Sequence, residues 1–195
     1  MIFAHSSLGV LSAYIIDKTR NCTRTTLFIW IAGILGSVAP DIDILYVILI
    51  DPTSSHRGFF THSLPLYFLG FLWAYIYIRL SKLPNYFEKA ALAFSLGTVF
   101  HIVSDAIVDY VYPVKPFVNF AYTFRLFPLY KDQGIFSYIT SPYMLLELII
   151  IAIGLAILIK NFRKCKKNFR VLLTLLGIIE IGVFIGLIPF LYEFN

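Results

Sequence analysis

Apolar residues in this chain fall in long runs rather than in the strict alternation of a half-buried strand. The runs cover residues 1 to 16, 27 to 50, 64 to 80, 90 to 112, 143 to 159 and 171 to 192. A helix rises 1.5 Å per residue, so about 20 apolar residues cross the ~30 Å of hydrocarbon in a bilayer. The pattern predicts an all-α fold, a polytopic membrane helical bundle of about six transmembrane helices. The second run contains Pro40, Asp41 and Asp43. Proline removes a helical hydrogen bond, so helix two is expected to break at this Pro-Asp-Ile-Asp motif. Two carboxylates at that depth call for a polar cavity or partners.

Between Tyr112 and Tyr143 the pattern changes to crowded aromatics, among them Phe117, Phe120, Tyr122, Phe124 and Phe136, interspersed with Pro113, Pro116, Pro128 and Gly134. Such a segment belongs at the membrane interface. No internal repeat or second domain is visible, so residues 1 to 195 read as one integral membrane domain. Its motif-bearing part is 5 to 128, followed by two further membrane helices within 143 to 192.

Composition sharpens this reading. Of 195 residues, 59% are hydrophobic and 14% charged, with a mean hydropathy of +0.81, which excludes an ordinary soluble enzyme and a disordered chain. The net charge of +5 belongs to basic loops rather than to a nucleic-acid surface. Cys22 and Cys165 lie in Lys/Arg-rich loops and read as reduced cytoplasmic thiols. No basic region precedes the first apolar run, so that segment is expected to stay in the mature protein.

Twelve of the 16 Lys and Arg residues follow helices one, three and five, whereas only Arg57, Lys115, Arg125 and Lys131 lie on the other side. With an even helix count this bias places both termini outside the cytoplasm, in a multi-pass protein of the inner membrane.

Polar residues then mark a candidate site. His101 and Asp105 are four residues apart on helix four, which stacks them on one face, and Asp109 extends that face. Asp41 and Asp43 flank Ile42 at the expected break. His56, Arg57, Thr61, His62 and Ser63 precede helix three, with Thr61 and Ser63 read as helix caps, and His5 stands near the start of helix one. The topology brings all of these to one end of the bundle, the extracytoplasmic one. His5, Asp41, Asp43, His56, His62, His101 and Asp105 are therefore candidate metal ligands. Imidazole with carboxylate suits Zn²⁺, and Mn²⁺ or Fe²⁺ as well, with one to three ions per chain. A two-metal centre activates water and stabilises attacking and leaving oxygens, while Arg57 and Arg125 supply bidentate phosphate contacts. Asp109 reads first as an interfacial carboxylate, with a metal ligand or a catalytic general acid as its other candidate roles, and Glu147 and Glu180 are assigned to helix pairing.

The motifs Pro-Asp-Ile-Asp at 40 to 43, His-Arg-Gly-Phe-Phe-Thr-His-Ser at 56 to 63, His-Ile-Val-Ser-Asp at 101 to 105 and Phe-Arg-Leu-Phe-Pro at 124 to 128, in that order, resemble the YdjM-like family. These inner-membrane proteins are classed as metal-dependent hydrolases and are distantly similar to zinc-dependent phospholipases C. The resemblance implies a metal phosphoesterase. Two departures are visible: Phe59-Phe60 adds a residue between the histidines of the second motif, and Ile44 stands where the family often has histidine.

The expectation is thus a membrane-embedded hydrolase using metal-activated water on a lipid or lipid-linked phosphate. The alternative is a transporter or sensor for divalent metal or protons that uses the same His/Asp cluster without hydrolysis. Nucleic acid is not an expected partner, and the oligomeric state is left open.

Overall fold

The computed structural model describes residues 4–17, 23–51, 56–115, 117–124, 126, 141–162 and 174, without the side chains of Ile48, His56 and Phe162. The sixth expected helix, Arg125 and both cysteines lie outside the described residues. The other apolar runs are helical: α1 is His5–Ile16, α2 Arg24–Val38, α3 Asp43–Leu49, α4 Leu64–Leu80, α5 Asn85–Val108 and α6 Pro142–Phe162. Thr23 caps α2, its hydroxyl accepting the Thr26 amide at 3.2 Å. Between α2 and α3 the helical path tightens into a 3₁₀ turn over Ala39–Ile42. Pro40 sits in its first turn, where a missing amide proton costs nothing. Two more 3₁₀ turns, His56–Gly58 and Phe60–His62, lead into α4.

Helices α1, α2 and α5 form the centre. Buried Ile29 of α2 packs on Ala90 and Ala93 of α5, and Ser37 further along α2 meets His101 further along α5, so these two helices run parallel. Helix α1 runs against both, with Ser12 near Ala93 and His5 stacked on His101. Small residues make this approach close. A Cβ at Gly36 would collide with the Phe94 carbonyl oxygen, and one at Gly97 would lie 2.5 Å from the Gly33 oxygen. Membrane helices associate through such backbone contact because lipid offers no hydrophobic driving force between them. Hydroxyls inside the bundle bond to backbone rather than remain unsatisfied: Ser12 Oγ donates to the Gly9 and Ala93 carbonyls at 2.8 and 3.0 Å, and Thr98 Oγ1 to the Gly36 carbonyl at 2.8 Å.

Helix α4 packs beside α5 and leaves Phe68, Trp73 and Leu80 exposed. Helix α6 lies along α1, where Ala4, Val108 and Tyr143 form one buried cluster and Val10 and Ala13 pack with Ile157 and Leu158. Exposed Leu145, Leu148 and Ile153 form its outer face. Helices apolar on their outer faces require a hydrocarbon solvent. Three helical stretches among the described residues are long and apolar enough to cross a membrane: Arg24–Val47, Asn85–Val108 and Pro142–Asn161. The apolar helices His5–Ile16 and Leu64–Leu80 are shorter, about 18 and 26 Å at 1.5 Å per residue.

The loop after α5 closes one end. Val111 and Tyr122 form an antiparallel bridge, and the amides of Phe124 and Leu126 reach the Ala106 and Ile107 carbonyls at 2.7 and 3.4 Å. These bonds satisfy acceptors that a helix C-terminus leaves open. The starts of α1, α4 and α6 and the ends of α2 and α5 all meet here.

Candidate metal centre

Every described candidate ligand comes to this end of the bundle. His5 is the first residue of α1, Asp41 sits in the 3₁₀ turn after α2, and His62 ends the turn before α4. His101 and Asp105 stand one turn apart on α5, and with His62 they are fully buried. The 3₁₀ turn carries Asp41 off the α2 face, while close packing at Gly36 and Gly97 brings Ser37 and His101 together.

One ligand atom from each of His5, Asp41, His101 and Asp105 falls within 4.8 Å of all the others. His101 Nε2 is 3.4 Å from Asp41 Oδ1 and 3.5 Å from Asp105 Oδ2. His62 Nε2 lies 3.7 Å from the same two oxygens. Those separations exceed the 2.7–3.2 Å of a good N–H···O bond. The two His101 separations fall within the edge of a tetrahedron around an ion whose bonds are about 2.0–2.2 Å, roughly 3.3–3.6 Å, and the two His62 separations lie just beyond it. His5, stacked on His101 with ring centroids 3.8 Å apart, has its Nε2 3.7 Å from Asp41 Oδ2 and 3.6 Å from Asp105 Oδ1. Each carboxylate thus turns one oxygen to His62 and His101 and the other to His5.

The outer contacts fix which nitrogen faces inward. His101 Nδ1 lies 2.7 Å from the Ser37 carbonyl oxygen, which only accepts, so Nδ1 carries the proton and Nε2 points at the carboxylates. His62 Nδ1 is held likewise, 3.1 Å from Asp43 Oδ2. Asp43 also accepts the Thr61 hydroxyl at 2.6 Å. In this arrangement Asp43 orients a histidine from behind. A neutral imidazole lone pair aimed at a carboxylate is repulsive unless a cation lies between them, and these donor sets fit a divalent ion of the zinc type.

Charge bookkeeping leads the same way. Arg57 Nε donates to Asp105 Oδ2 at 3.1 Å and its Nη1 to Asp109 Oδ2 at 3.2 Å. Burial disfavours the Arg57 charge, but Asp105 and Asp109 outweigh it and hold the guanidinium protonated. Three carboxylates, Asp105, Asp109 and Asp41, therefore act on one guanidinium. Burial alone would also lower the basicity of His62, yet its contacts with Asp105, Asp41 and Asp43 prevail and push its pKa up to about 10. A proton on His62 offsets part of the negative charge, as a divalent cation would.

Sequence reasoning located His5, Asp41, His62, His101 and Asp105, which converge, and Asp43 and Asp109, which stand next to them. The His56 side chain and Arg125 lie outside the described residues. Arg57, read as a phosphate contact, is engaged with Asp105 and Asp109. Thr61, read as a helix cap, bonds Asp43 instead, and Ser63 precedes α4 without a side-chain capping bond. Two features were missed: the Ser37 carbonyl, because a backbone acceptor has no sequence signal, and Lys115, whose Nζ donates to the Gly58 carbonyl beside Arg57.

A family model described as YdjM inner membrane protein matches residues 1–185. Neither a curated protein nor a solved structure matches the chain.

Proposed function

The chain belongs to the YdjM inner membrane protein family, and on that footing we propose that it is a metal-dependent hydrolase acting on a lipid or lipid-linked phosphoester. The observation that carries this reading is the shared use of two carboxylates, with Asp41 and Asp105 each offering one oxygen to the His62 and His101 side and one to His5. His5, Asp41, His62, His101 and Asp105 would together hold one or two divalent ions. When bound, such ions, Zn²⁺ above all, lower the pKa of water toward neutrality and polarise a phosphoryl oxygen.

The chain's own residues do the rest. Asp43 and the Ser37 carbonyl hold the two imidazoles in the tautomer that presents Nε2. Arg57 fixes Asp105 from outside and, with Arg125 of the Phe-Arg-Leu-Phe-Pro motif, provides positive charge for phosphate oxygens. Asp109, one third exposed beyond the buried cluster and ionised beside Arg57, would take up the proton released by the attacking water and pass it to the leaving oxygen. The bilayer supplies the substrate laterally, and the apolar outer helix faces keep the scissile bond at the level of the site. Six spans with both termini extracytoplasmic accompany this reading. It is supported by the described basic residues Arg24, Arg79, Lys82, Lys89 and Lys160, which lie at the helix ends away from the cluster.

The test is metal content and phosphoester hydrolysis on protein reconstituted in lipid nanodiscs with Zn²⁺ or Mn²⁺. Bound metal with release of phosphate or phosphorylated head group, both lost in His101→Ala, is the expected result. Metal-loaded protein that releases neither from any lipid or generic ester overturns the hydrolase reading. Metal flux into liposomes in place of hydrolysis would identify a transporter.

A further inference from the structure

Beside the metal centre, α4 and α5 diverge to leave a groove of about 490 Å³ lined by Leu64, Tyr67, Phe68, Phe71, Val99 and Val114. Its size falls within the roughly 300–1,000 Å³ of small-molecule sites. The lining is almost wholly apolar. Phe68 and Val99 are themselves exposed, so the groove is continuous with the face that α4 turns toward the bilayer.

The two ends of the groove differ in chemistry. Toward the core, Tyr67 and Leu64 pack on the cluster of Ile102, Ala106 and Val111, and Ile102 adjoins His101 in sequence. The Leu64 amide donates to the Pro113 carbonyl at 2.9 Å, which pins the loop after α5 over the start of α4. Val114 is followed by Lys115, whose ammonium lies 4.8 Å above the Tyr112 ring and donates to the Gly58 carbonyl. Gly58 adjoins Arg57, the partner of Asp105 and Asp109. From the apolar lining the chain passes through Val114 to the Lys115 ammonium, and from there, by the bond to Gly58, to Arg57 beside the His/Asp cluster. That order of chemistry is the order of groups along an anionic lipid: alkyl chain, phosphate, head group.

We propose that this groove seats one alkyl chain of an anionic membrane lipid, with Lys115 meeting its phosphate, and so selects the substrate of the neighbouring centre. The inference rests on the hydrolase reading for the word substrate, but the seat itself does not. The chain exchanges bilayer neighbours for protein neighbours, so specificity comes from packing fit and from the charge at the mouth rather than from hydrophobic transfer.

The experiment uses the full chain in nanodiscs of phosphatidylcholine doped with phosphatidylglycerol carrying a photoactivatable diazirine in one acyl chain. After irradiation, peptide mass spectrometry should locate adducts on 64–71, 95–99 and 113–114. The outer face of α6, from Leu145 to Ile159, serves as a control for ordinary bilayer contact. Lys115→Ala should weaken labelling by the anionic lipid about fivefold, the worth of one basic residue at a membrane surface. A phosphatidylcholine carrying the same diazirine should label the groove weakly and show no dependence on Lys115. Val99→Trp should remove groove adducts while metal content stays at the wild-type level, which also shows that the variant is folded. Equal labelling of the groove and the α6 face in wild-type protein overturns the seat, whether or not the protein hydrolyses any ester. Groove labelling without hydrolysis leaves the seat standing and removes only the hydrolase reading.

Discussion

At the residue scale the site is governed by which protons and charges face one another. His62 in the metal-free protein has its pKa raised from 6.5 to about 10 by the surrounding aspartates. A raised histidine stabilises the fold fully below its unfolded pKa and loses that contribution as pH climbs through the folded value. The metal-free protein should therefore lose thermal stability between pH 6.5 and about 10, read as a falling Tm in chelator. If His62 ligates a divalent ion as proposed, metal and proton compete for the same imidazole, so apparent Zn²⁺ affinity should rise over that window, with proton release detected by calorimetry in buffers of different ionisation enthalpy. Asp43→Asn keeps the shape but weakens the acceptor behind His62, and it should lower metal affinity about tenfold to a hundredfold without abolishing binding. A competition titration against a chelating dye measures it. The convergence of these His and Asp residues was legible in sequence because each is a residue type that membrane helices avoid unless it has work to do, and because i, i+4 spacing predicts a shared face for His101 and Asp105. The division between Asp41, which faces the cluster, and Asp43, which stands behind His62, was not legible. Asp41 sits in the 3₁₀ turn while Asp43 opens α3, so the angle between them is set at that junction and follows neither the helical nor the strand period.

At the element scale, hydrophobic runs predicted where helices lie, and α4 coincides with its run from Leu64 to Leu80. They did not predict how closely the helices approach. The α2–α5 contact depends on Gly36 lying against the Phe94 backbone, and the hydrogen bond from His101 to the Ser37 carbonyl depends on that approach. Gly36→Leu should therefore separate the two helices, cost about 1–3 kcal/mol of stability or more from overpacking, and lower metal occupancy although it touches no ligand. Thermal unfolding with metal analysis on the same sample checks both effects. A stable variant with full occupancy would mean that the centre tolerates movement of α2. The aromatic segment after α5 was expected at an interface, and its described part does expose Phe117, Phe120 and Phe124. Its backbone bonds to the Ala106 and Ile107 carbonyls had no counterpart in the pattern, because they join residues through main-chain atoms that every sequence possesses.

At the scale of the whole molecule, one quantity links the sequence to the site: the separation of positive charge from the His/Asp cluster. Helix direction alternates so that α1 and α4 begin beside the cluster and end at Lys/Arg-bearing segments, while α5 begins near Lys89 and ends at Asp109. If basic loops remain in the cytoplasm, the His/Asp cluster opens to the other side, and on the proposed hydrolase reading its substrate comes from the outer leaflet. Single cysteines in a chain with Cys22→Ser and Cys165→Ser report this directly. Lys82→Cys lies in the turn between α4 and α5, and Val118→Cys lies in the exposed loop after α5. A membrane-impermeant maleimide should label the Val118 variant in spheroplasts and the Lys82 variant only in inverted vesicles. The reverse pattern would turn the site toward the cytoplasm. The same helix packing would then hold, since nothing in the bundle's contacts depends on which side is which, but the available phosphoesters would be those of the inner leaflet and the cytosol. Orientation is thus set by charges remote from the chemistry, and it decides which lipids the His/Asp cluster can meet.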